Sequence, residues 1–204
     1  MPNLFSRYRL SISKLISAIL VQILPVMIGV YLGFALNNFG EEQKTKNKTE
    51  VYRSILAAEV NQNLAAIKEV KDYHIELSNR LNELLNSPKV TDAFKTFRFS
   101  GIRPAKISRS AFDTGIQTGI MQEFKIPLIQ ELNSLYAYQQ RLDDFNANMV
   151  NSLASQKFPE TEKEIRNLAT ILSISLNDIK VYESRLESDY KSILQELQKK
   201  ANDE

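Results

Sequence analysis

Residues 15–40 read LISAILVQILPVMIGVYLGFALNNFG, which is 26 consecutive residues without a charged side chain. A helix of this length is about 39 Å long at about 1.5 Å per residue, enough to cross a hydrocarbon core of about 30 Å with some tilt. The run is also longer than the apolar region of a cleaved signal peptide, which spans about 7–15 residues. The sequence therefore predicts one transmembrane helix at 15–40 that acts as an uncleaved signal anchor.

Charge separates the short N-terminal segment from the rest of the chain. The tail of residues 1–14 carries Arg7, Arg9 and Lys14 and no acidic residue. Lys44, Lys46, Lys48 and Arg53 follow the span, so the basic residues on its two sides are nearly balanced. Because the tail is short and free of acid, whereas long domains are translocated despite their charges, we favour a cytoplasmic N-terminus and a periplasmic domain at residues 41–204. That domain holds all 24 acidic residues beside most of the basic ones, and this balance gives no case for nucleic-acid binding. The absence of cysteine excludes disulfides and thiolate metal sites.

Gly29 and Gly33 form a GxxxG pair inside the apolar run. Two glycines four residues apart give a flat strip on which a second membrane helix can pack closely. The hypothesis is a helix–helix contact in the membrane, with a second copy of the chain or with another membrane protein. The alternative is chance, because glycine is common in membrane helices.

The residues after the span predict an all-α fold, in which the transmembrane helix continues into an elongated helical bundle or coiled-coil-like domain. Apolar residues recur at steps of three, four and seven up to residue 86, where Ser87-Pro88 stops the helix. Ser110 and Asp113 fit a capping box, and Gly119 is placed to end the short helix that follows. The predicted segments are a stalk helix at 41–86, a loop at 87–109, a short helix at 110–119, a helix at 126–155 with Pro127 in its first turn, and a helix at 159–200 with a second capping box at Thr161 and Glu164.

The last helix has the clearest periodicity, a heptad seam interrupted only by Glu183. The candidate coiled-coil residues are Leu172, Leu176, Ile179, Leu186, Tyr190, Ile193 and Leu197. One interpretation is a coiled coil with another chain. We favour packing onto the preceding helices, because the loops are short enough for three long helices to form a bundle within one chain.

The sequence contains no catalytic constellation and predicts neither a cofactor nor a metal. Its one histidine, His74, lies on the apolar stripe of the stalk helix. A lone histidine on such a stripe is usually a residue of the core or of its boundary. No second histidine exists at metal-ligand spacing, and no nucleophile motif accompanies it. We therefore interpret the chain as a protein without enzymatic activity.

The loop between residues 94 and 109 is rich in basic and aromatic residues and has no acidic one. Interleaved cations and rings can bind an anionic polymer or lipid headgroups. The candidate anion contacts are Lys95, Arg98, Arg103, Lys106 and Arg109. The alternative is a solvated loop whose phenylalanines close the end of the bundle.

Two blocks of the chain resemble a family of small single-pass membrane proteins of unknown function that is common in Bacteroidota. Residues 26–42, VMIGVYLGFALNNFGEE, match its span, which has a central glycine and ends in Asn-Asn-aromatic. The stretch from Ser110 to Gly119 resembles its capped short helix. The chain departs from the family at Phe39, where tryptophan is usual, at Pro25 inside the span, and at Gly33, where alanine is common. The resemblance implies a membrane location and no known activity.

These observations lead to one hypothesis and one alternative. The hypothesis is a non-enzymatic, membrane-anchored interaction or scaffold protein of the bacterial inner membrane. Its expected partners are membrane lipid and either further copies of the chain or another membrane protein. The alternative is an extracytoplasmic helical module that senses a ligand or an anion and signals through a partner.

Overall fold

The computed structural model describes the backbone of residues 4–199 and the side chains of residue 23 and residues 25–199. Within those residues the fold is all-α and contains no strand. The helices are α1 (Leu4–Asn86), α2 (Val90–Thr96), α3 (Ser110–Thr118), α4 (Ile126–Ser155) and α5 (Glu162–Gln198), with a 3₁₀ turn at Ile120–Glu123. The chain divides into two compact units, residues 1–50 and residues 51–204.

The first unit is the N-terminal part of α1. The tail predicted for residues 1–14 is helical from Leu4 onward. The side chains of residues 15–22 and 24, which begin the predicted span, lie outside the described residues. Among the residues that are described, no helix contains a stretch both long and apolar enough to cross a membrane. From Val26 to Phe39, the large apolar side chains of this unit are exposed.

The second unit is a bundle of three long helices, in which α5 runs antiparallel to both α1 and α4. Contacts between the helices fix these directions. Between α1 and α5, Lys71 contacts Glu187 and Asn82 contacts Ser173. Between α4 and α5, Gln139 contacts Tyr190 and Phe145 contacts Tyr182. In each pair of helices, residue numbers rise on one partner as they fall on the other.

The core of the bundle consists of two apolar clusters. The first joins α1 residues 52–67 to α3, the first half of α4 and the end of α5. The second joins α1 residues 77–84 to α2, Met149 and the first half of α5. Ile67, Leu132 and Leu176 are fully buried, as the periodic spacing of apolar residues predicts.

Local signals in the sequence locate several helix ends correctly. Helix α1 ends at Asn86, directly before Ser87-Pro88, and Gly119 after α3 is left-handed with φ 75°. Thr161 and Glu164 form the predicted capping box, with each side chain bonded to the other residue's backbone N–H. Helix α5 therefore begins at Glu162, three residues later than predicted.

The prediction of a loop throughout residues 87–109 is wrong, because α2 occupies Val90–Thr96. Val90 is fully buried, and Ala93, Phe94 and Phe97 pack against the same cluster. This spacing of three, four and seven presents one apolar face to the bundle. The polar residues between these positions, Thr91, Asp92, Lys95 and Thr96, obscured the pattern in a helix of only seven residues.

Candidate functional site

Glu59 of α1 is buried at the N-terminus of α3 and accepts five hydrogen bonds. Its Oε2 accepts from the backbone N–H of Ala111 at 2.8 Å and from the hydroxyls of Ser108 at 2.9 Å and Ser110 at 3.0 Å. Its Oε1 accepts from the Phe112 N–H at 3.3 Å and the Tyr136 hydroxyl at 2.7 Å. We call these groups the carboxylate cluster.

The carboxylate cluster corrects the predicted capping box at Ser110 and Asp113. Ser110 is the first residue of α3 and donates its hydroxyl to Glu59, so it does not cap the helix. Asp113 instead forms a salt bridge with Arg109 at 3.0 Å. A carboxylate satisfies the free N–H groups of a first turn better than a hydroxyl, because it also meets the positive end of the helix dipole.

The hydrogen bonds keep Glu59 ionised. Burial alone would raise the pKa of this carboxyl, but the bonds from Ala111, Tyr136 and the two serines outweigh it and leave the pKa below its usual value. Burial and the bond to Glu59 raise the pKa of Tyr136, so the phenol stays protonated and donates.

Asn63, one turn beyond Glu59, binds the backbone of Ser108. Its Oδ1 accepts from the Ser108 N–H at 2.8 Å, and its Nδ2 donates to the Ser108 carbonyl at 2.6 Å. Gln139 of α4 donates to the same carbonyl at 3.1 Å and accepts from the Tyr190 hydroxyl of α5 at 2.8 Å. This amide cluster connects all three long helices to the chain that enters α3.

His74 and Glu183 form a second buried polar site, the histidine cluster. Both side chains are 1% exposed, and His74 Nδ1 lies 2.7 Å from Glu183 Oε1. The other ring nitrogen, Nε2, donates to the carbonyl of Ile102. Burial would lower the pKa of His74, but the bonds to Glu183 and Ile102 and the charge of Glu183 raise it above its ordinary value.

The chemistry of these clusters is structural. Each ring nitrogen of His74 and each carboxylate oxygen of Glu59 is bonded within the chain. Both groups are buried, with His74 1% and Glu59 7% exposed. Among the described residues, no group of three or more potential ligands could hold a metal ion.

A shallow groove of about 250 Å³ lies on the surface between α4 and α5. Its charged residues are Glu131, Arg185 and Asp189, and the last two lie 3.5 Å apart as an ion pair. The guanidinium of Arg185 also covers the ring of Tyr138. The groove therefore offers no cation that is not already engaged by its neighbours.

The predicted anion contacts do not converge on one site. Lys95 pairs with Asp92 at 3.2 Å, Arg109 is held by Asp113, and the guanidinium of Arg103 stacks on the ring of Tyr73. Arg98 and Lys106 are exposed and have no ion pair in the part of the chain that is described. Because most of the cations are already engaged, the arrangement gives little support to an anion-sensing module.

The heptad seam of α5 lies inside the bundle. All seven candidate residues are buried against other helices of the same chain, from Leu172 in one apolar cluster to Leu197 in the other. The seam is therefore used within the chain and is not available for a coiled coil with a second chain. Glu183, the polar residue that interrupts the seam, is buried there in contact with His74.

Gly29 and Gly33 lie on an open surface of α1. A Cβ added at either position would meet nothing within 4 Å among the described residues. The strip they form is free to be covered by another helix, and the contact predicted from the GxxxG pair stays a prediction.

Comparison with protein-family models, curated proteins and solved structures finds no match to this chain. The resemblance drawn from residues 26–42 and 110–119 therefore stays a prediction. The fold and the polar clusters themselves define a helical-bundle protein, in which buried side chains of the long helices hold a connector and the start of a short helix.

Proposed function

We propose that this chain is a membrane-anchored, non-enzymatic scaffold or interaction protein of the bacterial inner membrane. Residues 15–40 are its transmembrane helix, and the helical domain lies on the periplasmic side. It acts as a subunit of a homo-oligomer or of a larger membrane complex. The function of such a subunit is to hold a rigid helical surface at the membrane for its partners.

The observation that carries this proposal is the exposed apolar surface of α1. Val26, Tyr31, Phe34 and Leu36 are each at least 65% exposed, and successive positions of a helix point in all directions around it. A helix that is apolar on all sides is characteristic of a membrane span or of the centre of a large protein. Together with the 26 uncharged residues of the sequence, this surface supports burial in lipid.

The polar clusters support a scaffold rather than an enzyme. Among the described residues, Glu59 is bonded through both carboxylate oxygens, His74 through both ring nitrogens and Glu183 through Oε1, so the clusters contribute to rigidity and position. Outside the bundle core, the exposed apolar residues Ile171, Ile174 and Val181 give α5 a surface for contact with a partner.

Placing two charges in the span tests the membrane anchor. We expect Ile28→Glu with Leu32→Glu to move the full-length chain from the membrane fraction to the soluble fraction. The reason is that one charge at the centre of a membrane helix costs about 2.5–3.5 kcal/mol. The measurement is the distribution of the protein after alkaline carbonate extraction of bacterial membranes.

The matched control adds the same two charges to exposed apolar positions of α5, Ile174→Glu with Val181→Glu. This variant should stay in the membrane fraction with the unmodified chain. Extraction of the unmodified chain by carbonate would show that residues 15–40 do not cross the bilayer and would overturn the proposal.

The glycine strip supplies the test of assembly. We expect Gly29→Ile with Gly33→Ile to dissociate the complex seen by native mass spectrometry in mild detergent, because the branched side chains separate the two helix backbones. The control is Ala35→Ile, which adds the same side chain on a different face of α1. An unchanged mass of the complex in the double variant would show that the glycine strip is not part of the interface.

A further inference from the structure

Residues 97–109, which we call the strap, connect α2 to α3 without regular secondary structure. The strap runs antiparallel to α1 and is attached to it chiefly through its backbone carbonyls. Four side chains of α1 donate to these carbonyls: Arg80 donates to that of Arg98, Tyr73 to that of Gly101, His74 to that of Ile102 and Asn63 to that of Ser108. A polar stripe on α1 thus binds the strap along its length.

Apolar contacts hold the centre of the strap only weakly. Between residues 98 and 106, Ile102 and Ala105 are the buried side chains. Arg103 has φ 52° in the left-handed region, which costs a non-glycine residue about 1 kcal/mol or more. The neighbouring Gly101 also has positive φ, at 82°. The bonds to α1 therefore maintain a backbone that would relax without them.

The bond from His74 depends on one shared proton. Since Nε2 donates to the Ile102 carbonyl, a second proton must lie between Nδ1 and Glu183 Oε1. Whether it resides on nitrogen or on oxygen, the pair is neutral overall. Loss of that proton leaves one N–H for two contacts of the ring. If it stays on Nε2, an Nδ1 lone pair faces the buried Glu183 carboxylate; the proton therefore shifts to Nδ1, and the Nε2 lone pair then faces the Ile102 carbonyl, so the bond to the strap is lost.

No nearby cation can replace that proton. The charged and titratable groups on the turns around the pair are Lys71 and Tyr73 of α1, Arg103 of the strap, Asp143 of α4, and Lys180 and Glu187 of α5. Lys71 is paired with Glu187 at 2.7 Å, Lys180 donates to the Ser78 hydroxyl, and Arg103 covers the ring of Tyr73. Within the described residues, His74 is the ion-pair partner of Glu183.

We propose that the centre of the strap, residues 98–106, is releasable: the protonated His74–Glu183 pair latches it onto the bundle at Ile102, and it is released when that pair loses its proton, while Asn63, Gln139 and Glu59 keep Ser108 in place. The device exposes the polar stripe of α1 beneath this centre without unfolding the bundle, because the two apolar clusters are formed mainly by the helices. It is independent of where the protein is anchored.

The direction of the pH dependence follows from the raised pKa of His74. The latch contributes its full stability below the ordinary histidine value of about 6.5 and loses it as the pH rises through the higher folded value. The strap is therefore closed below the ordinary histidine pKa and opens as the pH rises through the raised pKa of folded His74.

The absence of cysteine allows a direct measurement on the full-length protein in detergent. Ala105→Cys places a thiol on the buried face of the strap, and Ala169→Cys places a matched thiol in the core of α5, since both alanines are buried. Labelling rates are corrected for thiolate ionisation with a cysteine peptide. We expect the ratio of the two corrected rates to rise with pH, by about tenfold per unit once the pair titrates, the slope for one proton.

Two further variants identify the titrating group. In Glu183→Gln the amide donates to neutral Nδ1, so the strap should stay latched and the ratio should not change with pH. The control Glu187→Gln removes the carboxylate one turn away and should keep the pH dependence. Equal labelling of the two cysteines at every pH, or the same rise in Glu183→Gln, would overturn the proposal.

Discussion

Replacing Glu59 by alanine is expected to lower the free energy of unfolding of the helical domain by about 3–5 kcal/mol, the range for removing one partner of a buried charged network. The carboxylate accepts from two backbone N–H groups and three hydroxyls at the start of α3. Alanine leaves these donors without an acceptor beside a cavity. The measurement is urea unfolding followed by circular dichroism in detergent.

The control for Glu59 is a glutamate of the same helix that faces solvent. Glu69→Ala removes the same atoms from an exposed position of α1 and should change the free energy by no more than about 0.5 kcal/mol. A loss below about 1 kcal/mol in Glu59→Ala would be the size of a single ordinary hydrogen bond and would contradict the account of a shared acceptor.

Acetate should partly restore the Glu59→Ala variant. The atoms removed beyond Cβ have the shape of acetate, and the five donors that held Glu59 remain in place. A ligand that binds the folded state stabilises it according to its concentration. Sodium acetate should raise the unfolding midpoint of this variant above that in sodium chloride of equal strength, with no such difference for Glu69→Ala.

The stability of the unmodified protein should depend on pH through the ionisation of Glu59. Because the pKa of Glu59 is lower when folded than when unfolded, its contribution is present above the ordinary carboxyl pKa. The contribution is lost as the pH falls through the folded value. Acid should therefore destabilise the unmodified protein more than Glu59→Ala, and the two unfolding curves should converge at low pH.

Helix ends were predictable from the sequence because their signals are local. Ser87-Pro88 ends α1 at Asn86, and Thr161 with Glu164 caps α5 through atoms three residues apart. Pro127 lies in the first turn of α4, where the ring replaces an N–H that has no helical partner. Each of these features depends on a few neighbouring residues and on nothing distant in the chain.

The polar clusters were not predictable in this way, because their partners lie far apart in the sequence. Glu59 is 77 residues from Tyr136 and 52 from Ala111, and nothing near it distinguishes it from a solvent-facing glutamate. The predicted cap at Ser110 failed for the same reason, since a local motif cannot reveal a distant carboxylate that binds the same N–H groups more strongly.

The histidine cluster did leave two signals in the sequence, and combining them could have predicted the pair. His74 is a lone polar residue on the apolar stripe of α1, and Glu183 is a lone acid in the seam of α5. Two helices that pack through these faces must bury both groups, and burial of either one alone is costly. The pairing of the two therefore follows once α5 is packed within the chain.

Gly115→Ala is expected to lower the free energy of unfolding by about 1–3 kcal/mol, the cost of overpacking a dense core. A Cβ at this position would overlap the hydroxyl end of the Tyr52 ring, so α3 and α1 could not keep their present separation. The displaced phenol would lose its bond to the Ala111 carbonyl. This loss would outweigh the higher helix propensity of alanine, and urea unfolding measures the net effect.

A double-mutant cycle with Tyr52→Phe separates steric overlap from other effects. Phenylalanine removes the hydroxyl oxygen, the nearest atom the new Cβ would meet, but keeps the ring carbon behind it, so the overlap is relieved in part and the double variant should be more stable than the sum of the single changes by about 1 kcal/mol. Gln117→Ala, at an exposed position of α3, is the control for substitution in this helix. Strict additivity of Gly115→Ala and Tyr52→Phe would show that the two residues do not touch, and α3 would then need another reason for its glycine.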